Sequence, residues 1–210
     1  MESLALSVKP AQKSPGQMLC ALNKAASVLL STTDQNMFRD ALLAGMEIIG
    51  KCVDVDKIYI WRNARIDGMD YYVHQHGWLS AFGRQTRRVL PQAKFPYSNS
   101  PEWQEKFLLG ECVNGSLRSL SQAEQDMLAP YGIQSLLVVP VYLRDHFEGF
   151  VSFEDCRHER AFTEEETGIL RSASLMMISA VNRNEQTIAI REAHSLCELI
   201  LNVKIGRAHV

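Results

Sequence analysis

The sequence predicts an α+β fold, with antiparallel strands in one sheet and helices near both ends of the chain. Three observations predict this class. Apolar residues recur every three or four positions near both ends, and two segments between them contain strands with a two-residue alternation. Short turn sequences join these strands in pairs, which indicates hairpins rather than crossover connections.

Two helices are predicted at the start. Residues 18–31 carry apolar side chains at helical spacing, which is typical of an amphipathic helix. Thr33 or Asp34 is suited to cap a second helix, whose apolar stripe begins at Phe38. Gly50 is expected to end that helix, because glycine is common just after a helix C-terminus.

A first hairpin follows. Residues 58–61 alternate between isoleucine and aromatic side chains, which predicts a strand with two different faces. Asp67-Gly68 is a hairpin turn sequence, and Met69–Leu79 is predicted to be the partner strand. The polar, basic stretch 84–91 shows no period and is interpreted as a loop.

The middle of the chain predicts short elements. Ser100-Pro101 is a typical helix start, with serine as the cap and proline in the first turn. Cys112–Leu120 is predicted to be a short strand. Ser121–Glu124 matches a capping box, which opens a short helix reaching about Pro130.

A second hairpin and a long helix complete the prediction. Ser135–Leu143 is apolar on both faces and should be a central strand, with a bulge or an unpaired edge at Pro140. A tight turn at 144–146 leads into a strand ending at Asp155. Thr163–Glu166 is a second capping box, and the helix that it opens changes its apolar phase after residue 184.

Composition excludes several classes of protein. The 210 residues are 46% apolar and 22% charged, unlike collagen, a disordered chain or a disulfide scaffold. The net charge of −2 predicts no bulk attraction to nucleic acid or to an anionic membrane, and no apolar run is long enough for membrane insertion. Five scattered cysteines without a C-x-x-C pair favour a cytoplasmic location.

Several segments resemble a known family. Leu128–Tyr142, Gly149–Arg157 and Arg160–Glu166 resemble GAF domains, of the type found in bacterial multidomain (hybrid) sensor histidine kinases. The resemblance implies a central antiparallel sheet of about six strands. It also implies that the N- and C-terminal helices pack on one face, with a ligand pocket on the other. Glu192–Val203 resembles the opening helix of a PAS domain.

Four regions are therefore expected. Residues 1–16 are interpreted as a flexible leader, and residues 17–184 as the GAF domain. Residues 185–204 are interpreted as a linker helix towards a downstream domain. Residues 205–210 resemble a translated sequencing adapter and are interpreted as a non-native tail.

Ligand-pocket candidates were chosen among large or polar side chains on the predicted strands and the middle helix. Such side chains more often form a core than a ligand site, but their polar tips can grip a ligand. Asp155 has a second interpretation, in which it accepts hydrogen bonds from the loop Cys156–Phe162. The candidates are Tyr59, Trp61, Tyr72, His74, Trp78, Trp103, Phe153 and Asp155.

The ligand itself is left unknown. His74 and His76 are predicted to share a strand face, but a metal site needs a third ligand and none is indicated, so no metal is expected. The same pair is a still weaker candidate for haem ligation. Bilin attachment is disfavoured because the sequence contains no Cys-His dipeptide. Binding of cyclic GMP is disfavoured because the sequence does not match the signature of GAF domains that bind cyclic nucleotides.

The predicted function is that of a sensory domain in a sensor histidine kinase. It would bind a small molecule, form a homodimer through its terminal helices, or both, and act on downstream kinase or PAS domains. No catalytic residue is predicted, because nucleotide-binding and nucleophile motifs are absent from the sequence. Two alternatives stay open: a free-methionine sulfoxide reductase using Cys112, and a ligand-free dimerisation module.

Overall fold

The structure, a computed structural model, describes residues 13–31 and 35–207. Long helices stand at both ends of the described chain, and short elements separate its two strand pairs. In chain order the elements are α1 (Pro15–Ser31), α2 (Gln35–Val53), β1 (Lys57–Ile66), β2 (Met69–Leu79), β3 (Lys94–Pro96), α3 (Pro101–Leu108), β4 (Val113–Ser116), α4 (Gln122–Leu128), β5 (Ser135–Leu143), β6 (His146–Asp155) and α5 (Glu164–Arg207).

The strands form one six-stranded sheet in the order β3-β2-β1-β6-β5-β4. Every neighbouring pair is antiparallel. Strands β1 and β6 pair in the centre, and this pairing joins the two predicted hairpins into a single sheet. The predicted α+β fold with one antiparallel sheet is confirmed.

One face of the sheet packs against α2 and α5, and α1 packs against those two helices. This helix-side core is mainly aliphatic and is completed by side chains from all three helices, for example Leu29, Leu42 and Leu170. The expected stacking of the N- and C-terminal helices on the same face is therefore confirmed.

The opposite face of the sheet is covered by α3, α4 and the turns that connect them. Its core is rich in aromatic rings, including Tyr59, Trp61, Trp103 and Phe150. The alternation predicted for residues 58–61 explains this division, because Ile58 and Ile60 belong to the helix side.

Two predicted elements have different bounds in the structure, and one strand was not predicted. Helix α2 continues past Gly50 to Val53. Gly50 is instead needed for packing, since a Cβ there would lie 2.3 Å from the ring of Trp78. The strand predicted over Cys112–Leu120 covers Val113–Ser116, and the stretch interpreted as loop is followed by strand β3, which was not predicted.

Pro140 lies at an unpaired edge, as one of the two predicted alternatives requires. It pairs with Phe150 of β6, whereas β4 reaches along β5 as far as Val138. The missing N–H of proline therefore faces no neighbouring strand at this position. A register irregularity follows between Val141 and Tyr142.

Both capping boxes are confirmed. Ser121 and Glu124 form the first at the start of α4. In the second, the Thr163 backbone N–H donates to Glu166 Oε2 at 2.8 Å, and the Glu166 N–H donates to Thr163 Oγ1 at 3.2 Å. Thr33 and Asp34, the predicted caps of α2, lie outside the described residues.

Helix α5 is 44 residues long and changes its surroundings along its length. It is anchored in the helix-side core as far as Val181. Beyond that point its described side chains lie at or near the surface, and Ile190 is 70% exposed. Among the described residues, no helix combines the length and apolar composition that a membrane span requires.

Parts of the expected leader and of the expected tail lie outside the residues that the structure describes. Residues 1–12 and 208–210 are not described, and α1 begins at Pro15, inside the segment interpreted as a leader. The interpretation of residues 185–204 as a linker helix stays a prediction, although α5 runs through them.

Candidate functional site

A small cavity lies in the aromatic face, between the sheet and the segments that cover it. Its volume is about 40 Å³, which is room for roughly three water molecules. Residues from five strands, α3, α4 and the adjoining turns line it: Trp61, Tyr72, Val89, Phe95, Trp103, Met127, Leu128, Tyr131, Ile133, Leu136, Phe150, Ser152 and Glu154.

Aromatic rings form much of the cavity wall. Trp61 is central among them, with its ring centroid 5.3 Å from that of Tyr72, 5.9 Å from Phe95 and 5.8 Å from Phe150. Trp103 on α3 meets Phe150 edge to face at 6.1 Å. These distances are typical of packed aromatic pairs, so the rings of the wall pack directly against one another.

A short chain of polar groups crosses the cavity floor on β1 and β6. Trp61 Nε1–H donates to Ser152 Oγ at 3.3 Å, and the Ser152 hydroxyl donates to Glu154 Oε1 at 3.0 Å. Glu154 is 6% exposed. Burial raises the pKa of Glu154 to about 7, although the positive charge of Lys57 opposes that shift.

Lys57 is the second buried charge on this face. It lies opposite Glu154 across the β1–β6 pair and is fully buried. Its ammonium group donates to the carbonyl of Arg87 at 2.9 Å and to the carbonyl of Tyr131 at 2.7 Å. Lys57 thereby holds two cavity-wall segments against the sheet, and within the described chain no ion pair joins it to Glu154.

Two other polar side chains in the wall have partners. Trp103 Nε1–H donates to Glu124, which also belongs to the capping box of α4. The Tyr72 hydroxyl contacts Met127 Sδ at 3.7 Å, and burial raises the pKa of Tyr72 to about 12. The first contact joins α3 to α4, and the second joins α4 to β2 of the sheet.

A bulge in β2 decides which predicted residues reach this site. Trp61 pairs with His74 and Ile60 with His76, so Gln75 is the extra residue. Since neighbouring residues of β1 face opposite sides, His74 and His76 lie on opposite faces of the sheet. The prediction that these two histidines share a face is wrong.

The same bulge moves Trp78 away from the cavity. Beyond Gln75 the alternation is inverted, and Trp78 packs in the helix-side core with α2. Phe153 also lies in that core, because it alternates with the cavity residues Ser152 and Glu154. Neither Trp78 nor Phe153 is brought into the site.

Asp155 takes the alternative role that the sequence left open. It is fully buried and accepts hydrogen bonds from the backbone N–H groups of Arg157 at 2.9 Å and His158 at 3.0 Å. Arg160 Nε donates to it as well, at 3.0 Å. Asp155 therefore anchors the loop before α5 and does not line the cavity.

Tyr59 and His74 lie beside the cavity without lining it. The two rings meet edge to face at 5.1 Å, and the Tyr59 hydroxyl accepts from the Val89 N–H at 3.3 Å. His74 Nδ1 contacts the Leu90 carbonyl at 2.9 Å, while its buried Nε2 has no partner in the described structure. Burial lowers the pKa of His74, which favours the neutral ring.

Of the eight predicted residues, Trp61, Tyr72 and Trp103 line the cavity. Sequence reasoning missed Glu154 and Lys57. A signal was present, because each charged residue stands at one end of an apolar strand, Lys57 in alternation with Tyr59 and Trp61, and Glu154 with Phe150. Within the described ranges, no group of three histidine, cysteine or acidic residues is arranged to hold a metal ion.

Cys112 lies away from this cavity, against the helix-side core. It is a free cysteine, like the other four. Burial raises the pKa of the Cys112 thiol, and the opposing effect of Arg171 is smaller. A nucleophilic cysteine requires the opposite shift, so this environment does not favour a reactive thiolate.

Solved structures with the same fold are numerous. The chain superimposes on the phycocyanobilin-bound GAF domain from a cyanobacterial phytochrome with a TM-score of 0.64 and 12% identity, over 81% of this chain and 96% of that one. It matches the GAF domain from a phosphoenolpyruvate-protein phosphotransferase of Coxiella burnetii equally well, with a TM-score of 0.64 and 12% identity, over 84% and 99%. At these identities the likeness shows the fold alone.

A curated relative adds a sequence match. The chain is 29% identical over 136 residues to the methanogenesis regulatory histidine kinase FilI of Methanothrix harundinacea strain 6Ac. The match covers 61% of this chain but 15% of that protein. Residues 38–181 match the family described as GAF domain, which is more than half of the chain. The chain therefore belongs to the GAF domain family.

Proposed function

We propose that this GAF domain is the sensory module of a sensor histidine kinase, that it binds a small molecule in the aromatic-face cavity, and that its terminal helices mediate dimerisation. The observation that carries the proposal is the position of Glu154, a buried carboxyl group at the floor of an aromatic cavity. The match to a histidine kinase supports the signalling role.

A physical connection supports a relay from this cavity to α5. Glu154 faces the cavity, and the next residue, Asp155, binds Arg160 from the opposite side of the strand. Arg160 also contacts Glu166 at 3.3 Å in the first turn of α5, and donates to the Val53 carbonyl at 2.7 Å at the end of α2. Movement of β6 would therefore reach both helices.

The expected mechanism is a shift between two packing states. A ligand can bias α5 by no more than the difference between its affinities for those states. We place the protein in the cytoplasm, with kinase or PAS domains as the receivers of α5. A solved GAF domain of this fold is bound to phycocyanobilin, but a cavity of about 40 Å³ is far too small for a bilin.

Ligand-observed NMR with a set of small fragments tests the proposal on the full chain. Val89 lines the cavity, and Val89→Phe should fill it and abolish binding of the fragments that bind the native chain. Leu90→Phe is the matched control, because Leu90 is 65% exposed and does not line the cavity. Fragments that bind both variants equally would contradict the proposal.

A ligand-free dimerisation module is the second candidate. The volume of about 40 Å³ favours it, since small-molecule sites usually occupy ~300–1,000 Å³. The exposed apolar side chains of α5, among them Ile188, Ile190 and Leu196, support dimerisation in either case. If no fragment binds but the chain is dimeric, this second function is favoured.

The reductase alternative has little support from the environment of Cys112. Its thiol pKa is raised by burial, and α5 supplies Arg171 as the nearby cation. An assay of free methionine sulfoxide reduction with the native chain and Cys112→Ser decides the matter. Activity that disappears in the variant would favour the reductase over a sensory role.

A further inference from the structure

The hydrogen-bond groups of the cavity leave one strong acceptor without a partner. Glu154 Oε1 accepts from Ser152, but Glu154 Oε2 has no hydrogen-bond partner in the described part of the chain. The indole N–H groups in the wall are already used, by Trp61 towards Ser152 and by Trp103 towards Glu124. The cavity therefore offers an unpaired carboxyl oxygen as an acceptor, while its indole N–H donors are engaged.

The nearest buried cation, Lys57, does not pair with Glu154 Oε2. Lys57 lies directly across from Glu154, yet its ammonium group is turned to the carbonyls of Arg87 and Tyr131. A buried carboxylate without a close partner is unfavourable. A ligand that brought a positive charge to Glu154 Oε2 would remove this cost and gain a charge-assisted hydrogen bond.

The walls also suit a cation. The aromatic faces around the cavity carry negative electrostatic potential, and their attraction to a cation is strongest where water is excluded. Trp61, the best of the ring types for such contacts, packs with Tyr72 and Phe150 and donates to Ser152 in the polar chain that ends at Glu154. An anion would be repelled by the Glu154 carboxylate and by the same ring faces.

Volume limits the size of the ligand. About 40 Å³ is space for roughly three waters, and hence for a group of about three to four non-hydrogen atoms. We propose that the aromatic-face cavity binds a small organic cation, an alkylammonium or guanidinium group, held by Glu154 and the ring of Trp61. This inference rests on the proposed small-molecule function and names the ligand class.

Matched pairs of probes test the charge without changing the size. Ethylammonium is compared with ethanol, and guanidinium with urea, each at millimolar concentration and constant ionic strength. Acetate serves as the anionic probe. Binding to the full chain is measured by ligand-observed NMR and by the fluorescence of the cavity tryptophans. Each cation is expected to bind at least about tenfold more tightly than its neutral partner, because charge pairing and the ring faces act together.

Variants then assign the preference to one carboxyl group. Glu154→Gln keeps the shape of the side chain and should remove the cation preference. Glu105→Gln is the control, because Glu105 is an exposed carboxyl group on α3 outside the cavity. If Glu154→Gln fails to fold, the comparison of cations with neutral probes on the native chain still decides the question.

The outcomes separate this inference from the function on which it rests. Ethanol, urea or acetate binding as tightly as the cations would overturn the cation site while leaving a small-molecule function intact. No binding by any probe would overturn the cation site and favour the ligand-free module. A cation preference that survives Glu154→Gln would show that another group is responsible, and the assignment to Glu154 would be wrong.

Discussion

The two faces of the sheet are buried to a similar degree but contain different chemistry. On the helix side, residues such as Ile58, Leu170 and Met177 are fully buried and wholly apolar. On the aromatic side, the buried residues include three with ionisable side chains, Lys57, Glu124 and Glu154. Apolar packing stabilises without directional requirements, whereas buried charges are costly unless they are paired. The helix side therefore resembles an ordinary apolar core, whereas the aromatic side also contains groups that need specific polar partners.

Both faces are built by the same strands. On β6, Val151 and Phe153 face the helices while Ser152 and Glu154 face the cavity. A change at the cavity therefore acts on a strand whose other side is packed against the helix-side core. This two-sided strand is the physical basis of the proposed relay.

The largest expected effect comes from truncating the helix side. Phe153→Ala removes a fully buried ring and should lower the free energy of unfolding by about 4 kcal/mol, measured by urea denaturation. Phe95→Ala, a half-buried ring at the cavity edge, should cost about 2 kcal/mol or less, since water can enter there. Equal losses would show that the two faces do not differ in packing.

Removing the buried ammonium should have the next largest effect. Lys57→Met leaves the carbonyls of Arg87 and Tyr131 without their donor, and we expect a loss of roughly 3 kcal/mol at pH 7. Hydrogen exchange should also become faster around residues 86–91, because Lys57 holds that segment to the sheet. Unchanged exchange there would contradict the role of Lys57 in closing the cavity.

The pH dependence of stability tests the other buried charge. The pKa of Glu154 is raised from 4.5 to about 7 on folding, so the folded chain binds the extra proton between those values. This contribution to stability is complete below about pH 4.5 and is lost as the pH rises through about 7. The groups that interact electrically with Glu154 are Lys57, Tyr59 and Cys156.

Glu154→Gln should therefore flatten this part of the stability profile. At pH 7.5 we expect the variant to be more stable than the native chain by roughly 2 kcal/mol, with little difference near pH 4.5. Urea denaturation across this pH range measures both values, and Glu105→Gln serves as the control. A profile that keeps its slope in Glu154→Gln would assign the titration to another group.

The smallest effect on stability is expected at the far end of α5. Ile190 is 70% exposed, so Ile190→Glu should change the free energy of unfolding by less than about 0.5 kcal/mol. The same change should abolish dimerisation if the exposed part of α5 forms the contact, as measured by light scattering. A dimer that survives this substitution and Leu196→Glu would place the contact elsewhere.

Local signals in the sequence were sufficient for most of the fold. The turns after β1 and β5, the capping boxes at Ser121 and Thr163, and the alternation at residues 58–61 each depend on a few neighbouring residues. Strand β3 carries no such signal, because its three residues become a strand by pairing with β2. That pairing is a property of the assembled sheet.

The site was harder to predict for the same reason. A period of two assigns Tyr72, His74, His76 and Trp78 to one face, and it holds only as far as the bulge at Gln75. A bulge is visible in the pairing of two strands and not in the spacing of one. Trp78 was therefore predicted on the wrong face, while Trp61 and Trp103 were predicted near the cavity that they line.

The sequence by itself determined the helices, the hairpins and the family of this protein, because these follow from local spacing and short motifs. Tertiary structure decided which charged residues are buried and how small the cavity is. It also decided that the Lys57 ammonium group binds two backbone carbonyls and not the Glu154 carboxyl group. Such features depend on contacts between residues far apart in the chain, whose distances are set when the sheet and its covering segments pack.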